Sequence, residues 1–526
     1  MRTSSNISQE TRLNPTAFSM EIGNENVITD KAQRAIFARD IMEWNAPLPE
    51  IILRPANTQE VSACAVIASR QGAFIAPRGG GLSYTRGYVP SSEKTVVLDL
   101  TRLNQILEFN AEDRFVTVGA GCTWKQLTDT LKSNNLRTTM TGPISGIYST
   151  IGGAASQNIP GSMEGIIGLE IVLADGQIVQ TGSGAVTRAN SRFFRNYGPD
   201  LTGLFLGDSG AYAIKTRVTM QLQQIPEGVS FASYAFDSLT NMARAMADIA
   251  RLGVASKTLG MDPLKNKMSK DVSLGEGLDT LQKIAFDSGS LSKGLKDAVR
   301  VATAGREMLV HVPWSLHLTV EGFDQSAADR AMKSAATSCR THGGKSIEPT
   351  VPLALRAKPY SIRGFLGMDG ERWVPVHGVF PLSRTDEIVN AVETFFSDRR
   401  IRLDRNRISH SFISSTNGPF WLLEPMFYWH DEITDFHLNY LEPKKRKKFA
   451  GRKANELARA EVVELRSELR DLFFELGSVT AQIGKYYNFA EAIEPESYKI
   501  LSEIKQILDP ENRLNPGNLG WDRLKT

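Results

Sequence analysis

With 526 residues, the chain exceeds the ~250–300 residues at which a single hydrophobic core stops growing, so we expect two domains. Its 61 Lys and Arg nearly balance its 58 Asp and Glu, and the net charge of +3 gives no support for nucleic-acid binding. Three dispersed cysteines without a CxxC pair, a polar N-terminus and the lack of any run of ~18 apolar residues predict a cytoplasmic protein with reduced thiols, no secretory signal and no transmembrane segment.

The N-terminal part of the chain alternates short apolar runs with glycine-rich segments. Residues 1–30 are polar and predict an N-terminal extension, to which we assign residues 1–44. Helices are predicted over 58–71 and 124–134. Asp175-Gly176 predicts a hairpin, because glycine supplies the positive φ of a tight turn. Strands are predicted for the run AFIAPR and for Thr95–Leu100, Ile106–Val118, Leu169–Ala174, Ile178–Thr181 and Ala213–Leu222.

A different pattern begins near residue 230, where strands and helices alternate and predict an α+β domain with a mainly antiparallel sheet. The predicted strands are Phe231–Phe236, Leu316–Glu321, Trp373–Phe380, Arg407–Ser414 and Trp421–Tyr428. The predicted helices are Ser238–Leu252, Leu278–Val301, Ala327–His342, Arg384–Asp398, Asn455–Leu476 and Glu494–Leu508. We place the basic run Lys444–Lys448 in a polar loop at the solvated surface, with a membrane-surface patch as the alternative.

Four segments rich in glycine or small residues are candidates for ligand binding. In the first, Arg78–Ser83, consecutive glycines let several N–H groups converge on an anion such as a pyrophosphate, although a tight turn would need the same residues. In the second, Thr150–Asn158, small residues allow a flat aromatic ring to lie against the backbone, or a helix N-terminus to pack on a sheet. The third is Leu206–Ile214, and the fourth is the tail segment Leu508–Asn518.

Taken in this order and spacing, the segments RGGGLS, GGA, LEIVLADG, FLGDSGAYAI and DPENRLNPG resemble those of the vanillyl-alcohol oxidase and p-cresol methylhydroxylase flavoprotein family, which also contains D-lactate and glycolate dehydrogenases. The resemblance implies a two-domain α+β flavoprotein and a homodimer. It implies a p-cresol methylhydroxylase-type FAD-binding domain over 45–228 and a substrate or cap domain with a mainly antiparallel sheet over 229–479. Residues 480–526 would return to the FAD domain.

The same resemblance implies which residues bind FAD. They lie in the first three segments, in a Gly-Pro pair that precedes the second segment, and in the tail: Arg78, Gly79, Gly80, Gly81, Leu82, Ser83, Gly142, Pro143, Gly152, Gly153, Ser156, Gly207, Ser209, Ile214 and Asn515.

The mode of FAD attachment is predicted from a difference between this sequence and the family pattern. Family members that attach FAD through the first loop carry a His there, and GGGLSY has none. Others attach FAD through a His or Tyr of the cap, for which His410 and the run FWLLEPMFYW are the nearest candidates, but neither aligns with that position. We therefore predict non-covalent FAD.

The candidate catalytic residues are Lys485, Tyr486 and His377. Lys485 and Tyr486 lie just before the tail helix, about where phenol-oxidising relatives place a Tyr-Arg pair that binds the phenolate. His377 ends an apolar cap strand and is a candidate for proton transfer. Each also has a structural interpretation, with Lys485 on the surface and the other two in packing. Arg363, Glu424 and Tyr428 are weaker candidates.

Two absences bear on the chemistry. Metal-using hydroxy-acid dehydrogenases of the family carry paired His motifs, whereas the matching stretches here are VHGVFPLS and TAQIGKYY, so no metal site is expected. Phenol oxidases carry an Asp after the GG segment, and residues 162–166 offer only Glu164 in its place.

We therefore predict an FAD-dependent oxidoreductase, either an oxidase or a dehydrogenase, that moves a hydride from a small organic substrate to flavin N5. Aromatic side chains in the cap favour an aromatic or 4-substituted phenolic alcohol or an alkylphenol, as in aromatic compound catabolism. These side chains are Phe380, Trp421, Phe427, Tyr428 and Trp429. One alternative is a small 2-hydroxy acid such as glycolate or D-lactate, with Lys485 or Arg363 clamping its carboxylate, and another is a flavin-free scaffold subunit. The electron acceptor, whether oxygen, a cytochrome or a quinone, is left open.

Overall fold

The structure is a computed structural model that describes residues 12–42, 45–159, 163–268, 309, 311–360, 365–367 and 369–525. The predicted helix Leu278–Val301 and the candidate Arg363 lie outside the described residues. None of the helices within these ranges combines the length and the apolar content needed to cross a bilayer.

The strands are given first, in chain order. They are β1 (Val27–Ile28), β2 (Ile51–Leu53), β3 (Phe74–Arg78), β4 (Thr95–Asp99), β5 (Ile106–Asn110), β6 (Phe115–Gly119), β7 (Leu136–Thr138), β8 (Ile166–Val172), β9 (Ile178–Gln180), β10 (Ile214–Gln224), β11 (Gly228–Phe236), β12 (Lys257–Met261), β13 (Trp314–Gly322), β14 (Lys345–Ile347), β15 (Arg372–Pro375), β16 (Gly378–Pro381), β17 (Ser409–Asn417) and β18 (Phe420–Trp429).

The helices follow the same order. They are α1 (Pro15–Ile22), α2 (Lys31–Phe37), α3 (Thr58–Arg70), α4 (Trp124–Lys132), α5 (Ile151–Gln157), α6 (Leu201–Leu204), α7 (Leu239–Leu252), α8 (Pro263–Met268), α9 (Gln325–Thr341), α10 (Thr350–Ala357), α11 (Thr385–Asp398), α12 (Arg400–Arg405), α13 (Asp435–Asn439), α14 (Pro443–Phe449), α15 (Glu456–Glu475), α16 (Phe489–Ala492) and α17 (Pro495–Leu508). Short 3-10 turns lie at Asn24–Asn26, Leu100–Arg102, Gly182–Ala185, Leu382–Arg384 and Asn518–Lys525.

The chain divides into two compact units. Unit 1 comprises the chain up to Thr123, Tyr148–Leu222 and the chain from Gln482 onward, and unit 2 comprises Trp124–Ile147 and Gln223–Ala481. Residues 124–147 therefore pack with the second unit, although the sequence analysis assigns them to the FAD-binding domain. In unit 2 the Tyr360 hydroxyl donates to the main-chain oxygen of Thr141 at 2.6 Å, and this bond ties the segment to the chain that follows it.

Unit 1 contains two sheets. The first has the strand order β1-β2-β4-β3, in which β2 and β3 run parallel to β4 and β1 pairs antiparallel with β2. The second contains the antiparallel order β5-β6-β10-β8-β9. Helix α3 buries Val61, Cys64 and Ala65 in the core beside the first sheet, and Asn57 caps its first turn by accepting from the Glu60 N–H. The β2–α3–β3 arrangement thus positions the end of β3, from which the first glycine segment continues.

Unit 2 is built on an antiparallel sheet of order β14-β11-β13-β12-β17-β18-β15, with β16 also paired to β18. Alternate residues of β13 separate its two faces. Leu316, Leu318 and Val320 are fully buried on the face that packs against α7 and α9, whereas Ser315 and His317 point to the opposite face. The predicted α+β fold with a mainly antiparallel sheet is confirmed.

Several predicted elements need correction. The single strand expected over Ile106–Val118 is the hairpin β5–β6, whose turn contains Arg114 at φ +52°. The strand expected over Trp373–Phe380 is split into β15 and β16. The basic run Lys444–Lys448 belongs to helix α14 rather than to a loop, since Pro443 can begin a helix at no cost in hydrogen bonds.

The described part of the expected N-terminal extension contributes to the core of unit 1. Helix α1 begins after Asn14, whose side chain accepts from the Thr16 N–H, and its Phe18 and Ile22 are buried among residues of α3 and the first sheet.

A buried histidine makes unit 2 sensitive to pH. His317 is 2% exposed, with Nδ1 2.8 Å from Ser233 Oγ and Nε2 2.9 Å from Ser315 Oγ. Because Ser315 donates its own proton to Asn266 Oδ1, it accepts from His317, and we assign the imidazole proton to Nε2. Burial lowers the pKa of His317 to about 3.

We expect this histidine to destabilise the protein in acid. The unfolded chain takes up the proton near pH ~6.5 and the folded chain only near pH 3, so stability that is full above pH ~6.5 falls progressively between these values. At pH 5 the cost is about 2 kcal/mol. The free energy of unfolding, measured with urea, should change between pH 7.5 and pH 5 by about 2 kcal/mol less in His317→Gln than in wild type. Thr319→Ser, on the same strand, should keep the wild-type difference, and an unchanged difference in His317→Gln would refute the assignment.

Candidate cofactor site

The first glycine segment follows β3 directly and lies against the chain that precedes α5. A Cβ atom on Gly80 would lie 2.1 Å from the main-chain oxygen of Tyr148, and one on Gly79 would lie 2.3 Å from Thr150 Oγ1. Gly81 has φ +72°, in the region that favours glycine. The segment therefore needs its glycines for close approach to neighbouring chain as well as for its backbone conformation.

Four main-chain donors of this segment have no acceptor in the described part of the chain. Among the described residues, the N–H groups of Gly79, Gly81, Leu82 and Ser83 form no hydrogen bond. Successive main-chain N–H groups in such a loop form a concave anion site. The donor set thus fits a diphosphate, which offers several oxygen acceptors.

Arg78 and Ser83, at the two ends of this segment, are both buried. The Arg78 guanidinium lies 4.4 Å from the centroid of the Phe37 ring and 5.3 Å from that of Tyr88. The Ser83 hydroxyl is 2.9 Å from Thr85 Oγ1, so it belongs to a hydrogen-bond network within the loop.

The second segment forms helix α5. Thr150 caps the helix by accepting from the Gly153 N–H at 3.2 Å. A Cβ on Gly152 would lie 2.5 Å from Ala120 Cβ, so this glycine allows the helix N-terminus to pack tightly on β6 and the residue that follows it. Of the two interpretations from the sequence, packing of a helix N-terminus is the one that these contacts describe.

The third segment lies against the end of α5. Gly207 N–H donates to Ala155 O at 2.8 Å, and Ser209 N–H donates to Ser156 O at 2.7 Å. Ile214, at the start of β10, is fully buried in the hydrophobic core.

A buried ion pair holds the third segment in shape. The Asp208 carboxylate accepts from the Gly210 N–H and from the buried ammonium of Lys215. Burial lowers the pKa of Lys215, while the charge of Asp208 opposes that effect. This pair was not among the candidates from the sequence, because no local pattern marks it.

The C-terminal tail reaches this site by extending the first sheet. Leu514 forms a parallel bridge with Ile75 of β3, in which Ile75 N–H donates to Arg513 O and Asn515 N–H donates to Ile75 O, both at 2.8 Å. The tail is therefore placed beside the strand that ends in the first glycine segment.

Two asparagines of the tail converge on the same pair of main-chain oxygens. Asn515 Nδ2 donates to Gly87 O at 2.9 Å and to Ser209 O at 3.0 Å, and Asn518 Nδ2 donates to the same oxygens at 2.8 and 2.6 Å. Both side chains are buried, and within the described chain their Oδ1 atoms have no partner. Buried amide oxygens without a donor favour a ligand that brings its own. Asn518 was missed from the sequence, and its spacing of three residues from Asn515 is the only signal for it.

The candidates Lys485 and Tyr486 lie in the same unit. Gly484 N–H donates to Ser209 Oγ at 3.1 Å, and Lys485 N–H donates to Thr85 O at 2.9 Å. The Lys485 ammonium donates to Val89 O, and the Tyr486 ring meets the Tyr487 ring edge-on at 5.1 Å. The segment is thus brought to the glycine loops, but the lysine charge is bound to a main-chain oxygen.

The remaining candidates, Gly142, Pro143 and His377, belong to unit 2. Gly142 has φ +84°, and a Cβ there would lie 2.4 Å from the Trp124 ring, while Pro143 O accepts from a main-chain N–H in the following turn. His377 is 4% exposed, with Nε2 3.3 Å from Oε1 of Glu424, whose side chain is 21% exposed. This histidine therefore has a carboxylate beside it.

The aromatic side chains expected to line a pocket are mostly core residues. Phe380, Trp421, Phe427 and Trp429 are each at most 1% exposed. Alternate residues of β18 share a face, which puts Trp421, Phe427 and Trp429 together and Tyr428 on the other side with Glu424. Within the described ranges, no three His, Cys, Asp or Glu side chains are grouped so as to hold a metal ion.

Two family models match the chain at the segments described above. The FAD binding domain model matches residues 49–182, and the model of the C-terminal domain of FAD linked oxidases matches residues 453–519. The chain therefore contains an FAD-binding domain and a C-terminal domain of the type found in FAD linked oxidases. Its cofactor is accordingly FAD, and its first glycine segment lies inside the FAD-binding match.

Curated relatives of this family align with all or part of the chain. Glycolate oxidase subunit GlcD of Bacillus subtilis is 30% identical over 245 residues, which cover 45% of this chain and 50% of that protein. The D-lactate dehydrogenase of Archaeoglobus fulgidus is 24% identical over 479 residues, covering 89% of this chain and 91% of that protein. The first relatives are thus spanned over half of their length or less.

Solved structures show that the flavoprotein fold extends over the whole chain. p-Cresol methylhydroxylase with substrate bound has a TM-score of 0.74 at 19% identity, and 4-ethylphenol oxidase from Gulosibacter chungangensis has 0.69 at 18%. Each match covers 97% of both chains. The predicted p-cresol methylhydroxylase-type fold is confirmed.

We expect Gly80→Ala to abolish or strongly weaken FAD binding, because the added Cβ would meet a main-chain oxygen 2.1 Å away and displace the loop donors. Overpacking of this kind costs about 1–3 kcal/mol. The measurement is the ratio of flavin to protein in the purified variant, from visible absorbance. Gly184→Ala is the matched control in the same unit, since its nearest atom would be 3.4 Å away. Equal flavin content in both variants would contradict the assignment of this loop.

Proposed function

We propose that this chain is an FAD-dependent oxidoreductase that removes a hydride from a carbon of a small organic substrate. The observation that carries the proposal is the set of main-chain N–H groups of Gly79, Gly81, Leu82 and Ser83, which have no acceptor among the described residues and lie within the FAD-binding match. In this family FAD, when bound, supplies the hydride acceptor.

The residues of unit 1 hold the cofactor in this proposal. The N–H groups of Gly79, Gly81, Leu82 and Ser83 bind the diphosphate, and the buried Arg78 adds positive charge at the start of the loop. The free Oδ1 atoms of the tail asparagines accept hydrogen bonds from hydroxyl or N–H groups of the same ligand. Lys485 acts as a positioning residue, because its ammonium fastens the segment before the tail to Val89 O.

We also propose non-covalent FAD. The first loop has no histidine, and His410, the nearest cap candidate, stacks on Phe396 at 4.1 Å on the helix-packed side of the sheet. Burial lowers the pKa of His410 to about 4. These contacts describe a half-buried histidine whose ring is used in packing.

Proton transfer is assigned to His377. Oxidation of an alcohol carbon requires a base that takes the hydroxyl proton as the hydride leaves, and histidine is the commonest such base. Glu424, 3.3 Å from His377 Nε2, would orient the imidazole.

A small 2-hydroxy acid is the substrate class that we favour. The Archaeoglobus fulgidus relative that matches 89% of the chain is a D-lactate dehydrogenase, and most of the aromatic side chains expected to form a phenol pocket are packed in the core. A 4-substituted phenol or aromatic alcohol is the second candidate, favoured by Trp373 and Tyr428, which pair across β15 and β18 on the face that carries Glu424. The homodimer and the cytoplasmic location stay predictions, and the electron acceptor stays open between oxygen, a cytochrome and a quinone.

Anaerobic mixing of the purified holoprotein with a substrate panel tests the proposal. We expect flavin absorbance to bleach with D-lactate or glycolate and not with vanillyl-type alcohols or 4-alkylphenols. The bleaching persists because, without oxygen, the reduced flavin cannot pass its electrons on. Bleaching by the phenols alone would establish the second candidate. A colourless protein that takes up no FAD would instead support the flavin-free scaffold.

His377→Gln should retain FAD and lower the rate of flavin reduction by roughly 10²–10⁴, the usual contribution of a general base. Stopped-flow reduction across pH is the measurement, because a base also shapes the pH profile whereas a structural residue does not. His311→Gln, at an exposed position of the same unit, is the control and should react at the wild-type rate. A wild-type rate and pH profile in His377→Gln would remove this residue from the mechanism.

A further inference from the structure

Unit 2 contains a cluster in which two arginines share the carboxylate of Glu321, with the charge of Lys257 near all three groups. Arg137 binds Glu321 through both Nη atoms at 2.7 and 2.8 Å, and Arg356 Nη1 lies 2.6 Å from Glu321 Oε1. Lys257 donates to Thr141 Oγ1 at 2.6 Å. Burial opposes ionisation of Glu321, but the bonds from Arg137 and the nearby Arg356 outweigh it and lower the pKa of this carboxyl.

The contacts show that the hydrogen-bond donors of one cation are engaged within the protein, whereas the other two cations have donors left for a ligand. With its amide oxygen oriented toward Arg137, Gln223 accepts from Nε at 3.1 Å and Nη2 at 3.2 Å, so Arg137 has its donors engaged. Arg356 uses Nη1 alone, and among the described residues its Nε and Nη2 have no partner. The Arg356 side chain is 29% exposed and Lys257 keeps exposed surface, so both can reach a ligand from solvent, although burial of the ammonium lowers the pKa of Lys257 to about 8.

The charge balance distinguishes this cluster from an ordinary structural network. Elsewhere in unit 2, Arg399 and Arg402 are paired with three glutamates, so that carboxylates outnumber cations there: Glu461, Glu464 and Glu468. At Glu321, by contrast, three positive charges meet one negative charge. Like charges held together at a partly buried site are stabilised by a further anion.

The cluster is also separate from the proposed base. Lys257 pairs with Thr319, whereas Glu424 pairs with Ile413, which in turn pairs with Met261. Lys257 and Met261 are four residues apart on β12, or about 13 Å at ~3.3 Å per residue, and β17 lies between β12 and β18.

We propose that Arg356 and Lys257 form a binding site for a small oxyanion of the phosphate or carboxylate type, with Arg137 and Glu321 holding Arg356 in place. The planar guanidinium presents Nε and Nη2 side by side to two oxygens of the anion, and the ammonium contributes a point charge. The site serves a ligand, or a substrate group, that lies away from His377.

The test is binding by the FAD-loaded protein, followed as the thermal unfolding midpoint during titration with sodium phosphate or with sodium malonate at constant ionic strength set with NaCl. A ligand that binds only the folded protein raises the midpoint with concentration. We expect a saturating rise for wild type, and for Arg356→Gln and Lys257→Gln an apparent affinity at least about tenfold weaker. A rise with phosphate alone assigns a phosphate site, and a rise with malonate assigns a carboxylate site.

Arg330→Gln is the matched control, because it removes the same charge from an exposed arginine on α9 whose side chain bonds only Ser326 within the described structure. It should bind as wild type does. The proposal is overturned if wild type shows no rise beyond that with chloride, or if Arg356→Gln and Lys257→Gln bind as tightly as Arg330→Gln. The readout needs no turnover, so failure of the proposed oxidation chemistry would leave it intact.

Discussion

The connection of the tail to the glycine segments of unit 1 depends on two main-chain oxygens, those of Gly87 and Ser209. Each accepts two hydrogen bonds, one from Asn515 and one from Asn518, across more than 300 residues of chain. Gly87 follows the first glycine segment and Ser209 lies in the third, so the tail amides hold both segments at one place. Buried main-chain oxygens need such partners, and here the partners come from the tail.

The tail itself is fastened by a buried ion pair. Lys505 donates to Asp509 Oδ2 at 2.5 Å, to Ala211 O at 2.7 Å and to Leu514 O at 3.2 Å, and it is 3% exposed. Asp509 in turn accepts from the N–H groups of Arg513 and Leu514. Removal of one partner from a buried pair of this kind costs about 3–5 kcal/mol, because the other charge is left without compensation. The end of α17 therefore sets the register in which Leu514 meets β3, and with it the position of both asparagines.

The sequence predicts those elements whose conformation is determined by residues close to one another in the chain. The Asp175-Gly176 turn and the apolar alternation around it predict β8 and β9, and Gly176 indeed has φ +87°. Ile106–Val118 was taken for one strand because nothing in its apolar pattern reveals that Arg114 adopts φ +52° and reverses the chain. Asn518, Lys505 and the pairing of Arg356 with Glu321 join residues that are distant in sequence, and without an alignment no pattern connects them. The family resemblance supplied Asn515, but it could not tell that a second amide shares its acceptors.

The sheet of unit 2 shows why residue type is a weak guide to a pocket. On β18, Trp421, Phe427 and Trp429 point toward the helix-packed side, while Glu424 and Tyr428 point the other way, because strand residues alternate between faces. An aromatic-rich strand therefore places about half of its rings where only packing uses them. The residues that we propose for proton transfer and for anion binding lie on the side of the other face. His377 lies beside Glu424 at one place, and Arg356 and Lys257 lie near Glu321 at another. The excess positive charge of the second group suits an anionic substrate or effector better than a neutral ring.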